Sequence, residues 1–252
     1  MAIYAWSDLH GRMDIFQMGL EYLNPEDKVY FLGDAADRGP DGWEIIKKIL
    51  DDQRFIYFKG NHEDLLIKAI GKITQENLIN KDYIWNNRMN LWFLNGGEST
   101  YSSIINDESI PKEKIISIIQ TLKSLPFCAV YHNTKNQKVL LSHAGCDSFE
   151  IAGTWDEEKF IWDRAHLMFY DDWYGKDNEI IIHGHTPIQL MIDDQEKNAL
   201  WYKTTFPKPW KGQGAYWYGQ NHKCNIDTGA VWNNNSVLLN LDTWEEIIIN
   251  VN

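Results

Sequence analysis

Residues 29–39 read Val29-Tyr30-Phe31-Leu32-Gly33-Asp34-Ala35-Ala36-Asp37-Arg38-Gly39. The first four form a short apolar run of β-branched and aromatic residues, the composition of a buried strand, and Gly33 ends it. A carboxylate follows at once. The same arrangement recurs on either side: Ala2–Trp6 runs into Ser7-Asp8-Leu9-His10, and Phe55–Phe58 into Lys59-Gly60-Asn61-His62-Glu63. Helical spacings lie between these runs. Ile15, Met18, Gly19 and Tyr22 stand at i, i+3, i+4 and i+7, and Trp43, Ile46, Lys47 and Leu50 give a weaker version behind Pro40. Strand–helix–strand–helix–strand over the first 60 residues specifies an α/β layer with βαβ crossovers.

Working outward, the chain from Glu63 to Ser124 reads as helical, with Leu65, Leu66, Ala69 and Ile70 at its start and Ile115, Ile116, Ile118, Ile119 and Leu122 at its end. No linker-like composition flanks it. It therefore reads as a helical insertion, about 63–125, within one domain spanning 1–252. Beyond it the pattern predicts short strands at Phe127–Tyr131, Val139–Leu141, Ile180–Ile182, Leu200–Tyr202, Cys224–Ile226, Val237–Leu241 and Glu246–Val251, with Asn233-Asn234-Asn235 as a turn. The predicted architecture is α/β, with two stacked sheets and helices outside.

Composition narrows the function. The 252 residues carry 24 basic and 36 acidic side chains, a net charge of −12. That balance argues against a general nucleic-acid binder, which needs a basic footprint. Cys128, Cys146 and Cys224 are odd in number and widely spaced, which supports neither a disulfide framework nor a thiolate zinc site. The N-terminus reaches Asp8 too early for a signal peptide, and no run approaches a membrane span. The chain reads as a soluble cytoplasmic protein without a membrane partner.

Five strand ends carry the chemistry. To the three above are added Val139–Leu141, followed by Ser142-His143-Ala144-Gly145, and Glu179–Ile182, followed by His183-Gly184-His185-Thr186. Sites in open α/β sheets form beyond the carboxyl ends of strands, so these ends can converge on one crevice. Asp8 and His10 stand two apart, on one side of an extended chain, where they can grip one ion together. Asp34, Asn61, His143 and His185 supply further oxygen and nitrogen ligands, and a carboxylate can bridge two ions. Such sulfur-free ligation suits Mn, Fe, Zn or Co better than Ca. Gly33, Gly60 and Gly184 permit the close backbone approach that a crowded site needs.

Asp-X-His, Gly-Asp-X-X-Asp-Arg-Gly, Gly-Asn-His-Glu, His-Ala-Gly and His-Gly-His-Thr, in this order from Tyr4 to about Ala230, resemble the phosphoprotein phosphatase (PPP) family of calcineurin-like metallophosphoesterases. The Asp-Arg-Gly at 37–39 and Glu63 are the specific parts. Nucleases and cyclic-nucleotide phosphodiesterases of the wider group tend to end in Gly-His-X-His, whereas Thr186-Pro187 follows here. Ser-His-Ala-Gly and Asn225-Ile226-Asp227-Thr228-Gly229-Ala230 look like bacterial or phage members. Lys59 departs from the arginine common before Gly-Asn-His-Glu, at a position that is not a ligand.

The resemblance implies the calcineurin-like fold and two divalent or trivalent metal ions, Mn foremost, with Fe, Zn, Co or Ni as substitutes. It implies that Asp8, His10 and Asp34 hold one ion, and Asp34, Asn61, His143 and His185 the other. A metal-bridging water then attacks phosphorus directly. His62 acts as general acid, oriented by Asp37, while Arg38 and Arg164 (in Phe160-Ile161-Trp162-Asp163-Arg164), with Asn61, bind the phosphate. The expected activity is that of a serine/threonine protein phosphatase, extending to phosphotyrosine, with a phosphorylated protein or peptide as partner. The alternative is a diadenosine tetraphosphate-type polyphosphatase acting on a dinucleotide, and a third reading is a non-catalytic binding protein on the same scaffold. His132, His166 and His222 read as packed or solvated, His183 as a support for its neighbour His185, and Asp227 as a turn or supporting residue. The aromatic stretch 201–218, with Trp201, Tyr202, Phe206, Trp210, Tyr216, Trp217 and Tyr218, reads as a loop anchored by its own rings, or as the surface that selects the substrate.

Overall fold

Strand β1 (Ile3–Trp6) divides its side chains between two apolar layers, as the two-residue period of a strand requires. Ile3 and Ala5 enter one cluster and Tyr4 and Trp6 another. The structure, a computed structural model, describes residues 1–81, 86–149, 156–167, 172–202 and 208–251. In it β1 pairs in parallel with β2 (Lys28–Phe31), and β2 with β3 (Phe55–Tyr57), through α1 (Met13–Leu20) and α2 (Gly42–Asp51). These are the crossovers the sequence specifies. α1 ends at Leu20, so Tyr22, expected on its apolar face, is 49% exposed; the buried face is Ile15, Phe16 and Gly19.

Between β3 and β4 (Cys128–His132) the described residues form α3 (Asn61–Ile70), α4 (Gln75–Asn80), α5 (Asn87–Leu94), α6 (Glu98–Asn106) and α7 (Lys112–Lys123). Then come β5 (Lys138–Ser142), α8 (Glu157–Trp162), a 3-10 turn (Ala165–Leu167), β6 (Glu179–His183), α9 (Ile188–Tyr202), β7 (Tyr216–Tyr218), β8 (Lys223–Asn225), α10 (Ala230–Asn233), β9 (Asn235–Asn240) and β10 (Glu246–Asn250). One mixed sheet runs β10-β9-β1-β2-β3, the other β4-β5-β6-β8-β7. Their inner faces meet in a cluster that includes Ile3, Ala5, Val237 and Leu239 from the first sheet and Val139, Leu141, Ile180, Ile182 and Cys224 from the second. Outside the first sheet, Trp6, Val29 and Phe31 pack with Phe16, Ile46 and the helices that follow β3.

Two predicted elements differ. Residues 200–202 are not a strand but the last turn of α9. A short apolar-aromatic run cannot be told from a helix end by periodicity, and here the good helix formers Gln195, Glu196, Lys197 and Ala199 lead into it. Conversely, Tyr216–Tyr218, read as loop, is a strand antiparallel to β8. Lys203 and Phe206 of the same stretch lie outside the described residues.

Candidate active site

All five ligand-bearing segments leave the carboxyl ends of β1, β2, β3, β5 and β6, and they meet. Asp8 N donates to Gly33 O (3.1 Å), His10 N to Asp34 O (3.0 Å) and Gly184 N to His143 O (2.8 Å), so the loops are tied to one another by backbone bonds. Two glycines make this approach possible. A Cβ on Gly184 would overlap the Asp8 carboxylate, and one on Gly60 would overlap that of Asp34. Six site residues, Asp8, His10, Asp34, Asp37, Arg38 and His185, adopt left-handed φ between 44° and 71°. Non-glycine residues in that region cost about 1–2 kcal/mol each, a strain that clusters where function over-determines geometry.

Asp34 is the centre. Its Oδ2 lies 3.4 Å from His143 Nε2, 3.6 Å from His10 Nε2 and 3.9 Å from His62 Nε2. Its Oδ1 accepts from His62 N at 3.0 Å. Although burial raises its pKa, the surrounding imidazoles His143 and His62 outweigh that and hold Asp34 well below the usual carboxylate range. Asp8 goes the other way, pushed up by burial and then by the charge of Asp227. Burial lowers His10 and His185.

The donor set fits a cation. His143 Nδ1 donates to Leu32 O at 2.9 Å, so the lone pair of a neutral ring sits at Nε2. That nitrogen faces two acceptors, Asn61 Oδ1 at 2.9 Å and Asp34 Oδ2 at 3.4 Å. Asn61 Oδ1 also lies 2.8 Å from His185 Nδ1, and His185 Nε2 is buried without a hydrogen-bond partner. Only a proton or a metal ion resolves such a convergence. Burial opposes charge on His143, yet Asp34 pushes it up to about 9, the protonic solution of the same problem. Two groups of donor atoms lie within 4.8 Å of one another, His10–Asp34–His62 and Asp34–His143–His185, and they share Asp34. Both carboxylate oxygens of Asp8 lie 3.2 Å from His185 N, and His62 also stands within reach of His10 and Asp34.

Around this floor stand the other residues singled out. His62 Nδ1 is 2.7 Å from Asp37 Oδ2. Arg38 spans two rings, Nη1 2.6 Å from His10 Nε2 and Nη2 3.0 Å from His62 Nε2. Arg164 makes its bond to Thr186 Oγ1 (2.9 Å) and is close enough to Asp34 and Arg38 to interact with their charges. His183 is buried, with Nε2 2.6 Å from Tyr218 Oη. Asp227 accepts from Gly229 N at 2.9 Å, and burial pushes it up to about 6. His132 ends β4, His166 is buried, and His222 stacks on Trp173.

Sequence reading missed the supports that arrive from the helices after β3. Trp92 Nε1 donates to Asp37 Oδ2 (2.8 Å), and Asp37 N to Thr100 Oγ1 (2.9 Å). Glu63, noted as a motif residue, accepts from Asp34 N, Gly60 N, Ala35 N and the Tyr57 hydroxyl at 2.8–3.0 Å. Trp232 was not singled out at all, yet its ring lies under the Arg38 guanidinium.

Comparison with known proteins places the chain among its relatives. The sequence model for calcineurin-like phosphoesterases matches residues 1–221. A symmetrical bis(5'-nucleosyl)-tetraphosphatase of Pseudomonas syringae pv. syringae is 23% identical over 97% of this chain and 90% of its own. An asymmetrical bis(5'-nucleosyl)-tetraphosphatase, PrpE, of Oceanobacillus iheyensis is 24% identical over 93% and 86%. Among solved structures, a serine/threonine phosphatase from Saccharomyces cerevisiae superposes with a TM-score of 0.54 at 14% identity, over all of this chain and 80% of that one. No described helix is long and apolar enough to cross a membrane.

Proposed function

The chain belongs to the calcineurin-like phosphoesterases and is a metal-dependent hydrolase; from that premise we propose that it hydrolyses dinucleotide polyphosphates of the bis(5'-nucleosyl)-tetraphosphate type. The observation that carries the phosphoesterase chemistry is the crowding of His143 Nε2, Asn61 Oδ1 and Asp34 Oδ2, a convergence that a proton or a cation relieves. The substrate class rests on two tetraphosphatase relatives matched along nearly the whole chain. The solved phosphatases share the fold.

In this reading Asp34, His143, His185 and Asn61 would hold one metal ion and Asp34, His10 and Asp8 the other, with Mn the foremost candidate. When bound, the ions acidify a water and neutralise charge on the phosphate. The chain's own residues do the rest. Arg38 is a planar fork, and the oxygens it would grip replace His10 and His62 as its partners. Arg164 extends the cationic rim. Asp37 fixes the His62 ring through Nδ1, leaving Nε2 to carry a proton to the leaving oxygen. Trp92 and Thr100 hold Asp37 in place.

A second reading, a serine/threonine and tyrosine protein phosphatase, draws on the Asp37-Arg38-Gly39 and Glu63 motif parts. One assay separates the two. Purified protein receives diadenosine tetraphosphate and phosphoserine, phosphothreonine and phosphotyrosine peptides, each with Mn²⁺ or with chelator. Chelator-sensitive cleavage that favours the dinucleotide is the expected result. Cleavage of peptides alone would replace the first reading with the second.

A further inference from the structure

Beside the phosphate-gripping arginine stands a largely exposed tryptophan. Trp232 is 57% exposed, whereas Trp6, Trp43 and Trp92 are fully buried. An exposed indole is ordinarily an accident of a mobile surface. This one sits on a built mount. α10 is entered through Gly229 and left through Asn234, both left-handed (φ 73° and 55°). Arg12 Nη1 donates to Ala230 O (2.7 Å) and to Asn234 Oδ1 (2.8 Å), and Arg12 is itself clamped by Asp14. Asn233 Nδ2 donates to Thr228 O (2.6 Å), and Thr228 Oγ1 to Asn235 O (2.7 Å). The turn is therefore pinned on both flanks while its ring is left in solvent.

The ring's position gives the mount a purpose. Arg38 Cζ lies 5.2 Å from the Trp232 centroid, within cation–π range, and the same guanidinium reaches His10 and His62. A phosphate held by Arg38 is therefore held beside an aromatic platform. A group esterified to that phosphate can lie against the indole. Its exposure matches a planar group that arrives with the substrate.

We propose that Trp232 is a specificity-determining residue that stacks the nucleobase of a nucleotide whose phosphate lies on Arg38. This deepens the dinucleotide reading above and rests on it. Nothing in the motifs signals it, because a lone tryptophan after Gly-Ala-Val has no sequence signature of its own.

The test uses two ligands that differ only in the base, AMP and ribose 5-phosphate. Their dissociation constants with the Mn-loaded protein are measured by calorimetry and checked as inhibition constants against p-nitrophenyl phosphate hydrolysis. The native protein is expected to prefer AMP by about tenfold or more, the size of one base–aromatic stack. Trp232→Ala should bring that ratio close to one, and Trp232→Phe should keep most of it. The side chain is exposed, so both variants should fold as the native protein does. An unchanged AMP preference in Trp232→Ala, or equal weakening of both ligands, overturns the proposal; the latter would mean that the ring only steadies Arg38. Loss of affinity for a phosphoserine peptide with the nucleotide ratio intact overturns it as well. The substrate reading fails separately, on absent diadenosine tetraphosphate hydrolysis by the native protein, and the ligand ratio still decides the role of Trp232 in that event.

Discussion

Replacing Glu63 by Gln tests how the catalytic loops are assembled, because one atom changes while shape is preserved. Glu63 is fully buried and accepts four bonds: Oε2 from Asp34 N (2.8 Å) and Gly60 N (2.9 Å), Oε1 from Ala35 N (3.0 Å) and the Tyr57 hydroxyl (2.9 Å). Through them one carboxylate joins the β2 loop to the start of α3. A glutamine keeps one oxygen, which satisfies one pair. Its NH₂ settles toward Ala35 N and Tyr57, where the hydroxyl can turn and accept but Ala35 N meets a donor. Two acceptor bonds vanish and one buried N–H is stranded, at about 1–3 kcal/mol for the unsatisfied group. The expected loss is about 2–4 kcal/mol, a large fraction of a typical folding free energy.

Urea denaturation of metal-free protein, followed by circular dichroism, reads this directly and keeps metal loss out of the number. Tyr57→Phe removes one donor without stranding another, so about 1 kcal/mol is expected. The double variant should depart from the sum of the two, since both changes act on the same carboxylate. A loss below about 1 kcal/mol for Glu63→Gln would refute the four-donor accounting.

Other perturbations probe other parts. His62→Asn should keep its metal content, read by elemental analysis, and slow hydrolysis of poor leaving groups by about 10²–10⁴-fold; unchanged turnover would remove His62 from proton transfer. Gly184→Ala places a methyl group against the Asp8 carboxylate and Ser7 Oγ, so metal stoichiometry should fall, with about 1–3 kcal/mol of overpacking cost in thermal unfolding; normal stoichiometry would contradict the close-approach argument. Asp107 accepts from Trp43 Nε1 and Lys47 Nζ, both at 2.7 Å, and these partners with Ser109 outweigh the opposing effect of burial and hold its carboxyl well below the usual range. A lowered folded-state pKa stabilises above the unfolded value of about 4, and that contribution is lost as pH falls further. Asp107→Asn should cost about 1–2 kcal/mol at pH 7, and the gap to native protein should close with acidification below about pH 4; a gap independent of pH would show that the carboxylate charge is not the cause.

How much of this was legible from the residues follows from the range of each interaction. The convergence of Asp8, Asp34, Asn61, His143 and His185 could be read because each sits within four residues of a strand end, and strand order then brings the ends together. The two-sheet architecture was legible for the same reason: β1, β5 and β6 advertise their burial in short apolar runs. Trp92 and Thr100 could not be read. They reach Asp37 from positions 55 and 63 residues away, on helices whose own pattern speaks only of packing. Leu200–Tyr202 and Tyr216–Tyr218 were exchanged, one read as strand and the other as loop, because three-residue segments carry too little alternation to separate the two.

The backbone of the site was hidden for a deeper reason. Local preference places Asp, His and Arg in right-handed or extended conformations, yet six of the residues at the strand ends are left-handed. Sequence logic reads what a segment does when it minimises its own energy. Here the loops are held against that minimum by bonds from elsewhere: Glu63 on Asp34 and Ala35, His185 N on Asp8, Thr100 on Asp37, and Gly96 O on Arg38 N (2.9 Å). The strain falls on the residues that aim donor atoms and the fork of Arg38 inward, while the buried strands beneath them obey their propensities. A site whose side chains must all point into one cavity from five different strands cannot also satisfy each loop locally, and half of the left-handed non-glycine residues among the described ones stand in it.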